Sequence, residues 1–171
     1  MVTTTPNGIA TDPHNRATLS GITWEMYEQI LEQTERSGRR CVLNYDGGEL
    51  EIEMPSKLHE LIKKFLAAIL EVYLFDKATR FVPAGQTTFR RRMLDKGLEA
   101  DECYYLTRLD EADDTTSPGD AEPPAPDLAV EVEVATPLLA KLPIYAAVGV
   151  TEIWHVEVKN GQVRCRIMRL I

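Results

Sequence analysis

The run Asp127-Leu128-Ala129-Val130-Glu131-Val132-Glu133-Val134 is the segment whose residue types and spacing are best suited to chemistry. Its apolar residues alternate with acidic or small ones, the period of a β-strand. Leu128, Val130, Val132 and Val134 therefore point one way, and Asp127, Ala129, Glu131 and Glu133 the other. A half-exposed surface strand gives the same alternation. The like-charge cost argues for more, because carboxylates two residues apart on one face repel, and holding them takes a cation or raised pKa values. Mg²⁺, or Mn²⁺ in its place, takes oxygen ligands, commonly one or two carboxylates with waters and a substrate phosphate. A second acidic strand, Glu99 to Tyr105, sets Asp101, Cys103 and Tyr105 on one face and Glu102 and Tyr104 on the other. If the two strands are neighbours, Asp101 meets Glu131. That pair could hold one metal ion, which would polarise a phosphodiester and lower the pKa of a bound water.

The elements that must position these acids are legible along the chain. Thr23 reads as the N-cap of a helix that ends near Ser37-Gly38. A hairpin follows, Cys41 to Tyr45 and Leu50 to Met54 around Asp46-Gly47-Gly48, with Glu51 and Glu53 on the outward face of its second strand. Ser56 caps a long helix with an apolar stripe from Leu58 to Tyr73, and His59 lies in its first turn. Strands are expected at Thr79–Pro83, Thr87–Arg92 and Ala100–Leu106. A helix opened by Pro137 should run through Val148 to Gly149, and a closing hairpin should turn at Asn160-Gly161. This order points to an α/β chain with one mixed sheet flanked by helices. Residues 1–20, rich in Thr, Pro, Asn and Gly, read as a disordered arm, leaving 21–171 as a single domain. The acidic, proline-rich stretch 108–126 reads as a mobile loop.

Composition narrows the function. A chain of 171 residues with net charge −8 is large enough for one core without disulfides, and its acidity works against non-specific phosphate binding. Cys41, Cys103 and Cys165 are widely spaced, with no CxxC pair, which fits a reducing, cytoplasmic setting and no zinc site. The amino terminus lacks the apolar core of a secretory signal, and no stretch approaches the roughly 20 apolar residues of a membrane span. Arg90, Arg91 and Arg92 form the one dense basic cluster. They read either as a nucleic-acid contact or as a charged edge strand that blocks aggregation. Trp24, Trp154, Tyr104 and Tyr105 read as packing residues. No P-loop, GxSxG or HExxH motif is present.

Several segments together resemble the Uma-two family of restriction-endonuclease-like proteins: Gly48 to His59 (GELEIEMPSKLH), Thr87 to Arg90, Gly97 to Tyr105 (GLEADECYY), Pro126 to Thr136 (PDLAVEVEVAT) and Lys141 to Trp154. The resemblance runs from about Ile22 to Val158. It implies a restriction-endonuclease-like PD-(D/E)XK core and divalent-metal chemistry on DNA. Carried onto this chain, Asp101 is the motif aspartate and Glu131 the acid of the (D/E)XK element. Where that element has lysine, two residues on, this chain has Glu133. The family pattern implies that the lysine has moved to the following helix, which makes Lys141 its equivalent, with Glu133 as an extra ligand or water-positioning group and Glu51 as an auxiliary acid.

Two functions of different class follow. One is a Mg²⁺-dependent endonuclease with DNA as substrate, a homodimer being a candidate assembly. The other is a binding or assembly module that keeps the nuclease fold without turnover, favoured by the missing ExK lysine and the acidic charge. Hydrolysis of another phosphate ester is a third reading.

Overall fold

Thr23 caps the first helix, α1 (Trp24–Ser37), by accepting a hydrogen bond from Met26 N, and Gly38 ends it in the left-handed conformation. The computed structural model describes residues 3–4, 9–12, 16–38, 40–113, 124–134, 140–159 and 161–170. In chain order its strands are β1 (Thr3–Thr4), β2 (Ile9–Asp12), β3 (Arg16–Ser20), β4 (Val42–Asp46), β5 (Glu49–Glu53), β6 (Val82–Pro83), β7 (Thr87–Arg91), β8 (Lys96–Ala100), β9 (Glu102–Tyr105), β10 (Leu128–Glu133), β11 (Glu152–Lys159) and β12 (Gln162–Arg169). The later helices are α2 (Lys57–Asp76), α3 (Leu109–Asp113) and α4 (Lys141–Val148). No helix among the described residues is long and apolar enough to cross a membrane.

The strands form two sheets rather than the one expected. The first runs β1-β2-β3-β5-β4-β8-β7 and the second β12-β11-β10-β9-β6. Every pairing in the first is antiparallel, whereas the second is mixed because β10 and β11 are parallel. A strand expected to be continuous from Ala100 to Leu106 bends at Asp101, so β8 ends in one sheet and β9 begins in the other. The mixed α/β character of a restriction-endonuclease-like core holds, with the break falling on a candidate site residue.

Two of the remaining expectations are corrected in part. Arg16–Ser20, read as part of an irregular arm, pairs with β5, with Thr18 opposite Glu51. In the 108–126 stretch, α3 opens the segment and Ala125 and Pro126 are buried at its end, where Pro124 O accepts from the Tyr105 hydroxyl; residues 114–123 lie outside the described residues. The expected helix start at Pro137 and the Asn160 turn position lie outside them too; the described helix begins at Lys141.

Strand β10 is covered on both faces. Leu128, Val130 and Val132 pack against Leu70 and Leu74 of α2, and on the opposite face Ala129 packs against Ile144 and Tyr145 of α4. The surface-strand reading of its alternation therefore does not hold. In the other sheet, Trp24 and Tyr27 of α1 lie over Tyr45 and Leu50, with the Tyr27 and Tyr45 rings stacked at 4.9 Å. Gly97 in β8 makes this possible, since a Cβ there would collide with the Tyr27 ring and hydroxyl.

Candidate active site

The antiparallel register of β9 and β10 pairs Cys103 with Ala129 and Glu102 with Val130. Carried one residue further, it sets Asp101 opposite Glu131 at the point where β9 leaves the sheet. The Asp101 side chain takes the place of the departing backbone: its Oδ2 accepts from Val132 N at 2.8 Å. The same oxygen lies 3.1 Å from His59 Nε2. Ser56 Oγ accepts from His59 N, so capping of α2 fixes the turn that delivers this histidine. Burial works to lower the His59 pKa, but the Asp101 hydrogen bond and charge, with Glu53 and Glu131 behind it, raise it.

Glu131 is 2% exposed and Lys141, at the start of α4, is 7% exposed. Charges this deeply buried persist only when paired. Lys141 Nζ donates to Glu131 Oε1 at 2.5 Å and to Glu53 Oε2 at 3.5 Å. The Tyr145 hydroxyl donates to the other oxygen of Glu131 at 2.5 Å. Lys141 and Tyr145 are four apart and share one face of α4, so a single turn of helix engages both oxygens of one carboxylate. Burial pushes Glu131 up to about 7, with Lys141 opposing the shift and the Asp101 charge adding to it. Burial alone would lower Lys141, but the carboxylates of Glu131, Glu53 and Asp101 outweigh it and hold the ammonium charged. Tyr145 is held well above its ordinary range by burial and then by Glu131.

Asp101, Glu131, Lys141 and His59 thus come to one place. Glu51 is fully buried and accepts from Asn44 Nδ2 at 3.4 Å, while Glu53, two residues on, is the residue of that strand that reaches Lys141. Tyr145 was not singled out in the sequence, and Glu53 was named only as the neighbour of Glu51 on its strand face. The signals were present, as the i, i+4 spacing from Lys141 and the strand face shared with Glu51.

Glu133 belongs to a neighbouring group. Its Oε1 lies 3.0 Å from His155 Nε2, and the ligand atoms of Glu133, His155 and Glu157 all lie within 4.8 Å of one another. Arg166 donates to His155 Nδ1 at 3.0 Å and to Glu157 Oε1 at 2.8 Å. A guanidinium only donates, so Nδ1 is the acceptor and a neutral ring carries its proton on Nε2, which makes no hydrogen bond among the described residues although Glu133 Oε1 is 3.0 Å away. Arg166 places a positive charge against this cluster.

The arginine cluster is engaged elsewhere. Arg92 pairs with Glu25 at 2.5 Å and Glu28 at 3.2 Å, Arg90 lies 4.0 Å from Glu28, and Arg91 donates to Val148 O at the carboxyl end of α4. Lys141 stands at the opposite end of that helix, and β7 is an edge strand. A cleft of about 320 Å³ runs beside α1 and α2, bordered by Arg40, Glu60, Gln86 and Glu99; Asp101, Glu131 and Lys141 are not among its lining residues. Lys63, buried on α2, contacts two residues of this cleft, Glu60 at 3.3 Å and Gln86 at 3.3 Å.

A family model, Uma2, described as "Putative restriction endonuclease", matches residues 24–167. No curated protein matches the chain.

Proposed function

The chain belongs to the Uma2 family of restriction-endonuclease-like proteins, and from that premise we propose that it is a metal-dependent endonuclease hydrolysing DNA phosphodiester bonds at the Asp101–Glu131–Lys141 group. The observation that carries this reading is the position of Lys141. Although the ExK position is Glu133, a lysine from a separate element lies with its Nζ 2.5 Å from Glu131 Oε1. Asp101 and Glu131 would hold Mg²⁺ or Mn²⁺, carboxylates being the hard oxygen donors such an ion takes. The ion, when bound, polarises the phosphodiester and makes a bound water a better nucleophile. His59 fixes the rotamer of Asp101, and the Tyr145 hydroxyl fixes Glu131. Lys141 keeps a positive charge where negative charge develops on the attacked phosphate. Glu53 shares its ammonium and holds the stem in place. Arg90, Arg91 and Arg92 are not needed for this reading. The free cysteines Cys41, Cys103 and Cys165 suit the cytoplasm as its place of action.

One observation favours a second reading. Both oxygens of Glu131 are engaged within the chain, and Asp101, Glu131 and Lys141 are all buried. A module that had given up turnover would keep such a group as a structural ion pair. Calorimetric titration of Mg²⁺ and Mn²⁺ into wild type and Asp101→Ala, with plasmid cleavage in parallel, separates the two. The endonuclease reading expects saturable binding and cleavage in wild type, both lost in Asp101→Ala. Absence of both in wild type supports the second reading.

A further inference from the structure

Helix α2 buries one face against β10 and leaves the opposite one uncovered among the described residues. Leu58, Leu61, Phe65, Ile69, Val72 and Phe75 lie along that face, each between 51 and 73% exposed. Their spacings of three, four, four, three and three residues keep them on one side of the helix, as in the seam of a helix that packs on another helix. Taking roughly 150–250 Å² for a large side chain, they present on the order of 600 Å² of apolar surface, at the upper limit for a monomer.

We infer that this face is a homodimer interface in which a second copy of the chain lays its own α2 antiparallel across the first. Apart from Ile69, which falls opposite Lys64, the stripe is its own complement under a two-fold axis through the midpoint between Leu66 and Ala67. Reversal about that point sets Leu58 against Phe75 of the second copy, Leu61 against Val72, and bulky Phe65 against exposed Ala68. Large against small at the crossing lets two helices approach closely. The same reversal sets Lys57 against Asp76 of the second copy, so each end of the seam closes with opposite charges. Within its own chain Asp76 pairs only weakly, with exposed Lys77 at 3.2 Å, a contact readily exchanged. Tyr73, 54% exposed beside the stripe, widens the apolar area toward the about 800 Å² per subunit of a stable interface. The inference does not depend on nuclease activity.

The test is sedimentation velocity on the full chain from about 1 to 100 µM, a range that brackets a micromolar dimer. Wild type should sediment as a concentration-dependent dimer, and Phe65→Glu should weaken association at least about thirtyfold, as expected for an aromatic anchor. Lys57→Asp should weaken it about tenfold, and adding Asp76→Lys in the same chain should restore most of the loss, because the swapped charges meet again only in an antiparallel pair. Thermal melts of each variant report folding. A wild type that is monomeric throughout, a Phe65→Glu variant that dimerises as wild type does, or a charge swap that fails to rescue Lys57→Asp would each overturn the interface.

Discussion

Asp127, immediately before β10, and Glu131, within it, are four residues apart, and their environments drive them in opposite directions. Asp127 is partly solvated and gathers N–H and O–H donors: Leu106 N at 2.7 Å, Thr107 N at 2.8 Å and Thr107 Oγ1 at 2.7 Å. Burial pushes it up, but these donors prevail and hold it at about 2. Glu131 is enclosed, and burial prevails over Lys141 and Tyr145 to raise it. A carboxylate held by backbone N–H groups is a structural pin. One held by an ammonium in a dry site is poised to change its charge or its ligand.

The largest expected effect comes from removing the cation. On the endonuclease reading, Lys141→Met should lower plasmid cleavage about 100-fold or more, the scale for losing a transition-state electrostatic partner. It also leaves Glu131 buried without its ammonium, so the metal-free protein should lose up to about 3–5 kcal/mol, less whatever protonation of Glu131 recovers. Melting curves should show Lys141→Met combined with Glu131→Gln to be more stable than Lys141→Met alone. Equal stability of the two variants would show that the pair is not coupled.

A smaller effect belongs to the pin. Asp127→Asn should cost about 1–3 kcal/mol by denaturant titration, since the amide returns fewer acceptors to the donors at 106 and 107. The two acids also predict opposite pH slopes. Asp127, depressed in the fold, contributes stability above its unfolded pKa, and that stability is lost as pH falls toward about 2. Glu131 is raised, so the fold binds its proton more tightly than the unfolded chain does, and stability is lost as pH rises toward about 7. For the same reason metal affinity should fall about tenfold per unit as pH drops below that value, because the proton competes for the carboxylate. Calorimetry across neutral pH checks this, and Glu133→Gln should leave the slope unchanged.

The smallest effect is expected at Arg166, whose side chain is 45% exposed. Arg166→Ala should shift stability by no more than about 1 kcal/mol, and less at high salt. A loss comparable to that of Lys141→Met would place the Glu133–His155–Glu157 cluster on the same footing as the Glu131 site.

Local rules in the sequence were enough for the caps at Thr23 and Ser56, the hairpin at Gly47-Gly48 and the alternation of β10, because each depends on residues close in the chain, and the motif pattern named Asp101, Glu131 and Lys141, whose side chains the fold brings together. The division into two sheets was not legible, since a strand pattern does not say where its hydrogen-bonding neighbours change, and the bend at Asp101 is made by its contact with Val132 N, 31 residues away. Nor was the assignment of His155 to Glu133, which depends on the parallel register of β10 and β11. The sequence listed acids on one strand face without distinguishing them. Tertiary structure decided which became a partly solvated pin and which a buried, ion-paired carboxylate, because desolvation and the donors that reach each oxygen come from elements distant in the chain.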